Sequence, residues 1–220
     1  MDTCGRNTLN PIKAAINELA EKHNPSVLEQ HIYHDVNLDI NELFEDGGSF
    51  DNETDLMVNI PIKTFISMTH DDLEPDCTSS GVVNLFKNIK APTGHSWRTL
   101  FEELHCEGWD ELVYDYFESP TAHELFPAPN SAEPLKVVIR GGACHCYCGV
   151  HRLVAGSVYL ASKYGNNAFF KSVLVTYRPL TKEGRIQLEQ GNGLAKKLPK
   201  ELRRRILDDR WITDQLQALS

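Results

Sequence analysis

At 220 residues and 24.8 kDa the chain has room for one large domain or two small ones. Its 41% hydrophobic and 24% charged residues match a soluble globular chain and exclude wholesale disorder. No window approaches the roughly 20 uninterrupted apolar residues of a membrane span, so no membrane partner is expected.

The first residues, MDTCGRNTLN, lack the apolar run of a secretory signal. Six cysteines are too sparse for a disulfide scaffold, and Cys144, Cys146 and Cys148 alternate on what reads as one strand, where neighbours bridge poorly. A cytoplasmic protein with reduced thiols is expected. The formal charge of −9 hides a polarity: 7 Lys+Arg against 25 Asp+Glu over 1–134, net −18, and 15 against 6 over 135–220, net +9. The first half repels polyanions and the second attracts them. Residues 178–205 are the most basic stretch, with Lys196, Lys197, Lys200, Arg203, Arg204 and Arg205 as candidate nucleic-acid-binding residues. A solvated face, or docking of the acidic half on the basic half, is the competing reading.

In chain order, Asn10-Pro11 caps an amphipathic helix carrying Ile12, Ala15, Ile16, Leu19 and Ala20, which stops at Asn24-Pro25. Residues 26–55 are acidic and mixed, with a turn at Asp46-Gly47-Gly48, and read as an extension rather than core. Alternation from Leu56 to Phe65 predicts a strand, with Pro61 suited to an edge or a strand end. A polar loop near residues 71–80, a short helix over 82–89, a helix from Ser96 to Glu107 capped by Ser96, and an apolar rhythm over 109–117 follow. A Pro-rich connection, 120–134, leads into a β-hairpin: strand 135–140, turn Gly141-Gly142, strand 143–148. Gly149-Val150-His151-Arg152 then opens a helix running to Gly165, strand 169–177 closes, and Leu194–Leu219 reads as one or two helices with Pro199 in a first turn.

The strand-to-helix glycine allows close backbone approach, and the helix start offers partially positive N–H groups, an anion site flanked by His151 and Arg152. The segment VVIRGGACHCYCGVHRLVAGSVYLASKYG with FFKSVLVTY resembles the ParB N-terminal/sulfiredoxin superfamily, and LMVNIPIKTFI resembles its opening strand. The resemblance covers 56–178 and is strongest over 135–178. It implies an α+β fold, a small mixed β-sheet flanked by helices, and binding of ATP or CTP through the turn. The family includes sulfinic acid reductases, CTP-dependent DNA clamps, small kinases and proposed nucleases.

Carried over by position, Gly149, His151 and Arg152 would hold the phosphates, with Arg140, Gly141, Gly142 and His145 as neighbours. Sulfiredoxins carry their catalytic cysteine directly before the His-Arg pair; here that position is Val150, so their chemistry is not expected unless Cys148 substitutes. The residues after the closing strand are also too few for a ParB clamp's helix-turn-helix region.

Cys144, Cys146 and Cys148 share one strand face and His145 and Tyr147 the other. Small hydrophobes filling a core account for the thiols better than zinc, since ligands two apart on a strand fit a tetrahedral site awkwardly. His31 and His34 are assigned to the surface. Phosphoryl transfer needs a carboxylate near the turn to hold Mg²⁺ or accept a proton, and Asp72 and Glu74, beside Asp71 and Asp76, are nominated together with His151 and Arg152 as catalytic residues.

The expected organisation is an acidic helical extension (1–55), a ParB/sulfiredoxin-like core (56–178) with a helical insert at about 81–118, and a basic helical tail (179–220). The expected function is nucleotide-dependent phosphotransfer or phosphate hydrolysis on a nucleic-acid-related substrate. The alternatives are a non-catalytic DNA-binding or nucleotide-gated adaptor and an acidic DNA mimic; size and charge suit a phage or mobile-element accessory protein.

Overall fold

The computed structural model of the chain describes residues 11–34, 40–45, 56–68, 95–105 and 135–219. In chain order it contains α1 (Pro11–His23), β1 (His31–His34), β2 (Leu56–Pro61), β3 (Phe65–Met68), β4 (His95–Ser96), α2 (Trp97–His105), β5 (Lys136–Arg140), β6 (Ala143–Cys148), α3 (Val150–Tyr164), β7 (Phe169–Arg178), α4 (Lys182–Gln190), α5 (Lys200–Leu207) and α6 (Arg210–Leu219). The strands form one mixed sheet in the order β2-β7-β5-β6-β3-β1-β4. β3 runs parallel to β1 and β6, and β5 parallel to β7; the other pairs are antiparallel. The fold is α+β.

The expected strand over 56–65 is two strands. Pro61 has no N–H to continue the ladder, and a 3₁₀ turn, Ile62–Thr64, carries the chain from β2 to β3. Those strands lie four ladder steps apart, about 19 Å in a flat sheet at the usual 4.7–4.9 Å spacing. Four extended residues reach only about 14 Å, so the sheet curls. Phe65 sits inside the curl, fully buried, with its ring edge-on to Phe170 (6.0 Å) and Trp97 (6.3 Å).

The concave face carries Val58, Ile60, Val137, Ile139, Cys144, Cys146, Val173 and Val175, and Leu153, Val154, Ala155 and Val158 of α3 pack on it, backed by Ile16 of α1 and Leu100 of α2. Ser96 Oγ accepts the Thr99 N–H at 3.1 Å, the expected cap of α2. α1 ends as its sequence predicts, with Asn24 in a left-handed conformation (φ 39°).

Two stretches read as peripheral are built into the core. Residues 26–34 bury Val27, Leu28 and Ile32, and β1 joins the sheet. Ile40, Leu43 and Phe44 pack on the convex face with Ile66, Ala143 and Leu180. The residues expected to form a basic tail cover that same face: Leu188, Ala195, Leu198, Leu202 and Ile206 are buried there. Apolar spacing does not announce α4 because only Gly184 and Leu188 of that helix are buried; Thr181 caps it, its Oγ1 accepting the Gly184 N–H at 2.8 Å. The turn at 46–48, the helix over 82–89, the apolar run at 109–117, most of the insert at 81–118 and the 120–134 connection lie outside the described residues.

α6 closes the β2 edge. The Gln215 side-chain amide accepts the Asn59 N–H (2.8 Å) and donates to the Asn59 carbonyl (2.9 Å), standing in for the next strand of the ladder. The hairpin turn is held beneath the α5–α6 junction: Gly142 N–H donates to the Ile206 carbonyl (2.8 Å), and Trp211 Nε1–H donates to the Gly142 carbonyl (3.0 Å). A Cβ on Gly142 would land on the Asp208 carbonyl. Gly142→Ala is therefore expected to destabilise the protein by about 1–3 kcal/mol, measured by denaturant unfolding.

Candidate functional site

The strand-to-helix junction forms as the sequence predicts. β6 ends at Cys148, Gly149 takes a left-handed conformation (φ 79°, ψ 29°), and α3 begins at Val150. A residue with a Cβ is disfavoured there. Gly149, at the N-cap position of α3, has no side chain to cap it, and the Leu153 N–H returns to the Gly149 carbonyl at 2.9 Å. The N–H groups of 150–152 precede the first intrahelical donor, so they carry the positive end of a 15-residue helix. Val150 is buried in the core and Arg152 is half-buried. His151 lies on the first turn of the helix.

The structure separates the junction from the neighbours assigned to it. Arg140, Gly141 and Gly142 lie at the opposite end of β6, six residues or about 20 Å from Gly149. The two glycines serve packing against residues 205–208, not approach to a ligand at the junction. His145 is mid-strand on the convex face, away from α3, and its Nδ1 shares a 2.6 Å hydrogen bond with Ser67 Oγ, a partner contributed by β3 that no local pattern indicates. Arg140 stands beside Arg178, its register partner on β7.

The basic segment is divided by its own contacts. Lys196, Lys197 and Lys200 are exposed. Arg204 donates to both oxygens of Glu201 (2.8 and 3.0 Å), and Arg205 donates to Glu201 (3.2 Å) and to the Phe65 carbonyl (3.2 Å). Arg203 lies against Gly191 with its Nε buried and without a hydrogen-bond partner. The lysines present a cationic surface, whereas Arg204 and Arg205 are already matched by a carboxylate. His31 is exposed. Asp71, Asp72, Glu74 and Asp76 lie outside the described residues.

Cys144 and Cys146 face the core, as the alternation predicts, while Cys148 is half-buried. Burial pushes the Cys144 thiol up to about 12 against a hydrogen bond with Thr64 Oγ1 (3.2 Å), and raises that of Cys146, whose Sγ donates to the Cys148 carbonyl (3.1 Å). Among the described residues no three His, Cys, Asp or Glu side chains gather to hold a metal ion. No helix of the described residues is long and apolar enough to cross a membrane. No family model matches the chain, and neither a curated protein nor a solved structure matches it.

Under native conditions at pH 8, alkylation mapped by mass spectrometry is expected to modify Cys148 well before Cys144 or Cys146, with all three equally labelled after unfolding. Hydrogen bonds from Arg204, foremost, and Arg205 hold the Glu201 carboxyl at about 2, below its ordinary 4.5. A depressed carboxylate stabilises the fold above the unfolded value, and that contribution is lost as pH falls from about 4.5 towards 2. Glu201→Gln should therefore flatten the fall in melting temperature across this window.

Proposed function

We propose that this chain is a ParB/sulfiredoxin-like protein that binds ATP or CTP by its phosphates at the Gly149–Arg152 junction and transfers or hydrolyses phosphate on a nucleic-acid-related substrate. The observation that carries the reading is the left-handed Gly149, which delivers the strand into a helix and has no side chain of its own to cap it. That geometry fits an anionic phosphate: the glycine lets the backbone come close and the first-turn N–H groups point their partial charge outward. The succession of opening strand, hairpin, glycine turn, helix and closing strand, on which the resemblance rests, supports it too. Arg152, on the first turn, adds a fixed cation beside that charge.

On this reading the backbone binds and orients the phosphates, and Arg152 offsets charge that develops on them. Mg²⁺, when bound, supplies further neutralisation of phosphate oxygens. Among the described residues no three His, Cys, Asp or Glu side chains gather to hold it, and the nominated Asp72 and Glu74 lie outside those residues.

The exposure of Lys196, Lys197 and Lys200 favours a second reading, an adaptor that grips nucleic acid without turnover. Thermal unfolding with ATP, CTP and GTP, with and without Mg²⁺, separates the two. A nucleotide at one hundred times its dissociation constant should stabilise the protein by about 2.7 kcal/mol, and Arg152→Ala should remove most of that shift. Absence of a shift with every nucleotide overturns the first reading; salt-dependent DNA binding lost on neutralising the three lysines, with no phosphate release, would establish the second.

A further inference from the structure

At the hairpin end of the sheet, Arg140 on β5 and Arg178 on β7 are register partners in a parallel pair. Val137, Ile139 and Val175 point into the main core and Tyr177 packs against it, so alternation sends both arginines to the convex face, side by side on strands about 4.8 Å apart. Both are half-buried, and the Nε of each is fully buried without a hydrogen-bond partner. Neither side chain forms an ion pair or hydrogen bond among the described residues. Arg185, by contrast, is matched by Asp209, Arg204 and Arg205 by Glu201, and Arg210 by Asp214.

Burial, and then the like charge of Arg178, pull the Arg140 guanidinium below its ordinary value. Two like charges held together and largely out of water, with no counterion among the described residues, are unfavourable unless something else supplies the negative charge. The backbone beneath them is firmly set: Gly141 N–H donates to the Arg178 carbonyl at 3.0 Å, and the adjoining turn is pinned to Ile206. The strand positions from which both arginines project are thus fixed in advance.

We propose that Arg140 and Arg178 form an oxyanion-binding site for a phosphoryl group, at the opposite end of β6 from the Gly149 junction. Two adjacent planar guanidinium forks offer parallel donors and two positive charges, the complement of a dianionic phosphate with several acceptor oxygens. The site stands on residues that the junction does not use, so it holds whether or not a nucleotide binds there.

The test is a titration of the full chain with inorganic phosphate at constant ionic strength set by chloride, following the arginine Nε–H resonances by ¹H–¹⁵N NMR, with thermal unfolding in parallel. The Arg140 and Arg178 signals should move together and saturate, and Arg178→Met should weaken phosphate binding at least about tenfold. In chloride alone, Arg178→Met should melt no lower than the parent chain, because it removes a charge that no carboxylate among the described residues compensates. Arg178→Lys, which keeps the charge but loses the fork, should fall between the two. Arg152→Ala should leave the phosphate response intact, which separates this site from the junction. A parallel titration with ATP distinguishes free phosphate from a nucleotide as the source of the group. Unchanged Nε signals, a shift that fails to saturate, or an Arg178→Met variant that binds phosphate as tightly as the parent would overturn the proposal.

Discussion

The connection from Pro61 to Phe65 is too short for a flat sheet, and the rest of the architecture follows from that mismatch. Strands at positions one and five of the sheet must approach each other, so the sheet curls around Phe65, and the ring fills the space between Phe170 and Trp97. A curled sheet has two faces with different needs. The concave one takes α3, whose small and branched side chains, Ala155, Val154 and Val158 among them, allow close approach. The convex one takes α4, α5 and residues 40–45, a second apolar layer centred on Leu43, Leu202 and Ile206.

β6 lies near the middle of the sheet, and its two ends are chemically distinct. One end releases the chain through the left-handed Gly149 into the start of α3. The other is the Gly141-Gly142 turn, closed over by the α5–α6 junction and bordered by Arg140 and Arg178. The last helix holds both the edge and the turn: Gln215 occupies the open side of β2, and Trp211 donates to the turn. The C-terminal segment is therefore part of the scaffold that positions the arginine pair.

Much of the central unit was legible from local pattern. The hairpin, its glycine turn, the junction at Gly149, the inward face of Cys144 and Cys146 and the caps at Ser96 and Asn24 all reflect rules that act over a few residues. What escaped local reading has a physical reason in each case. Val27, Leu28 and Ile32 are too few to set up a period, and β1 exists because β3 lies beside it. α4 turns only two residues inward and so carries almost no amphipathic signal. The basic stretch of 178–205 reads as uniform charge in the sequence, yet Glu201 engages two of its arginines while its four lysines remain exposed.

The sequence by itself determined the α+β class, the hairpin–glycine–helix–strand succession and the residues at the strand-to-helix turn, because alternation, glycine conformational freedom and helix-start chemistry are properties of neighbouring residues. Only the tertiary structure decided that Ser67 meets His145 and that Arg178 stands against Arg140. Those juxtapositions come from register between strands distant in the chain, which is set by the burial of the whole sheet and the reach of its connections.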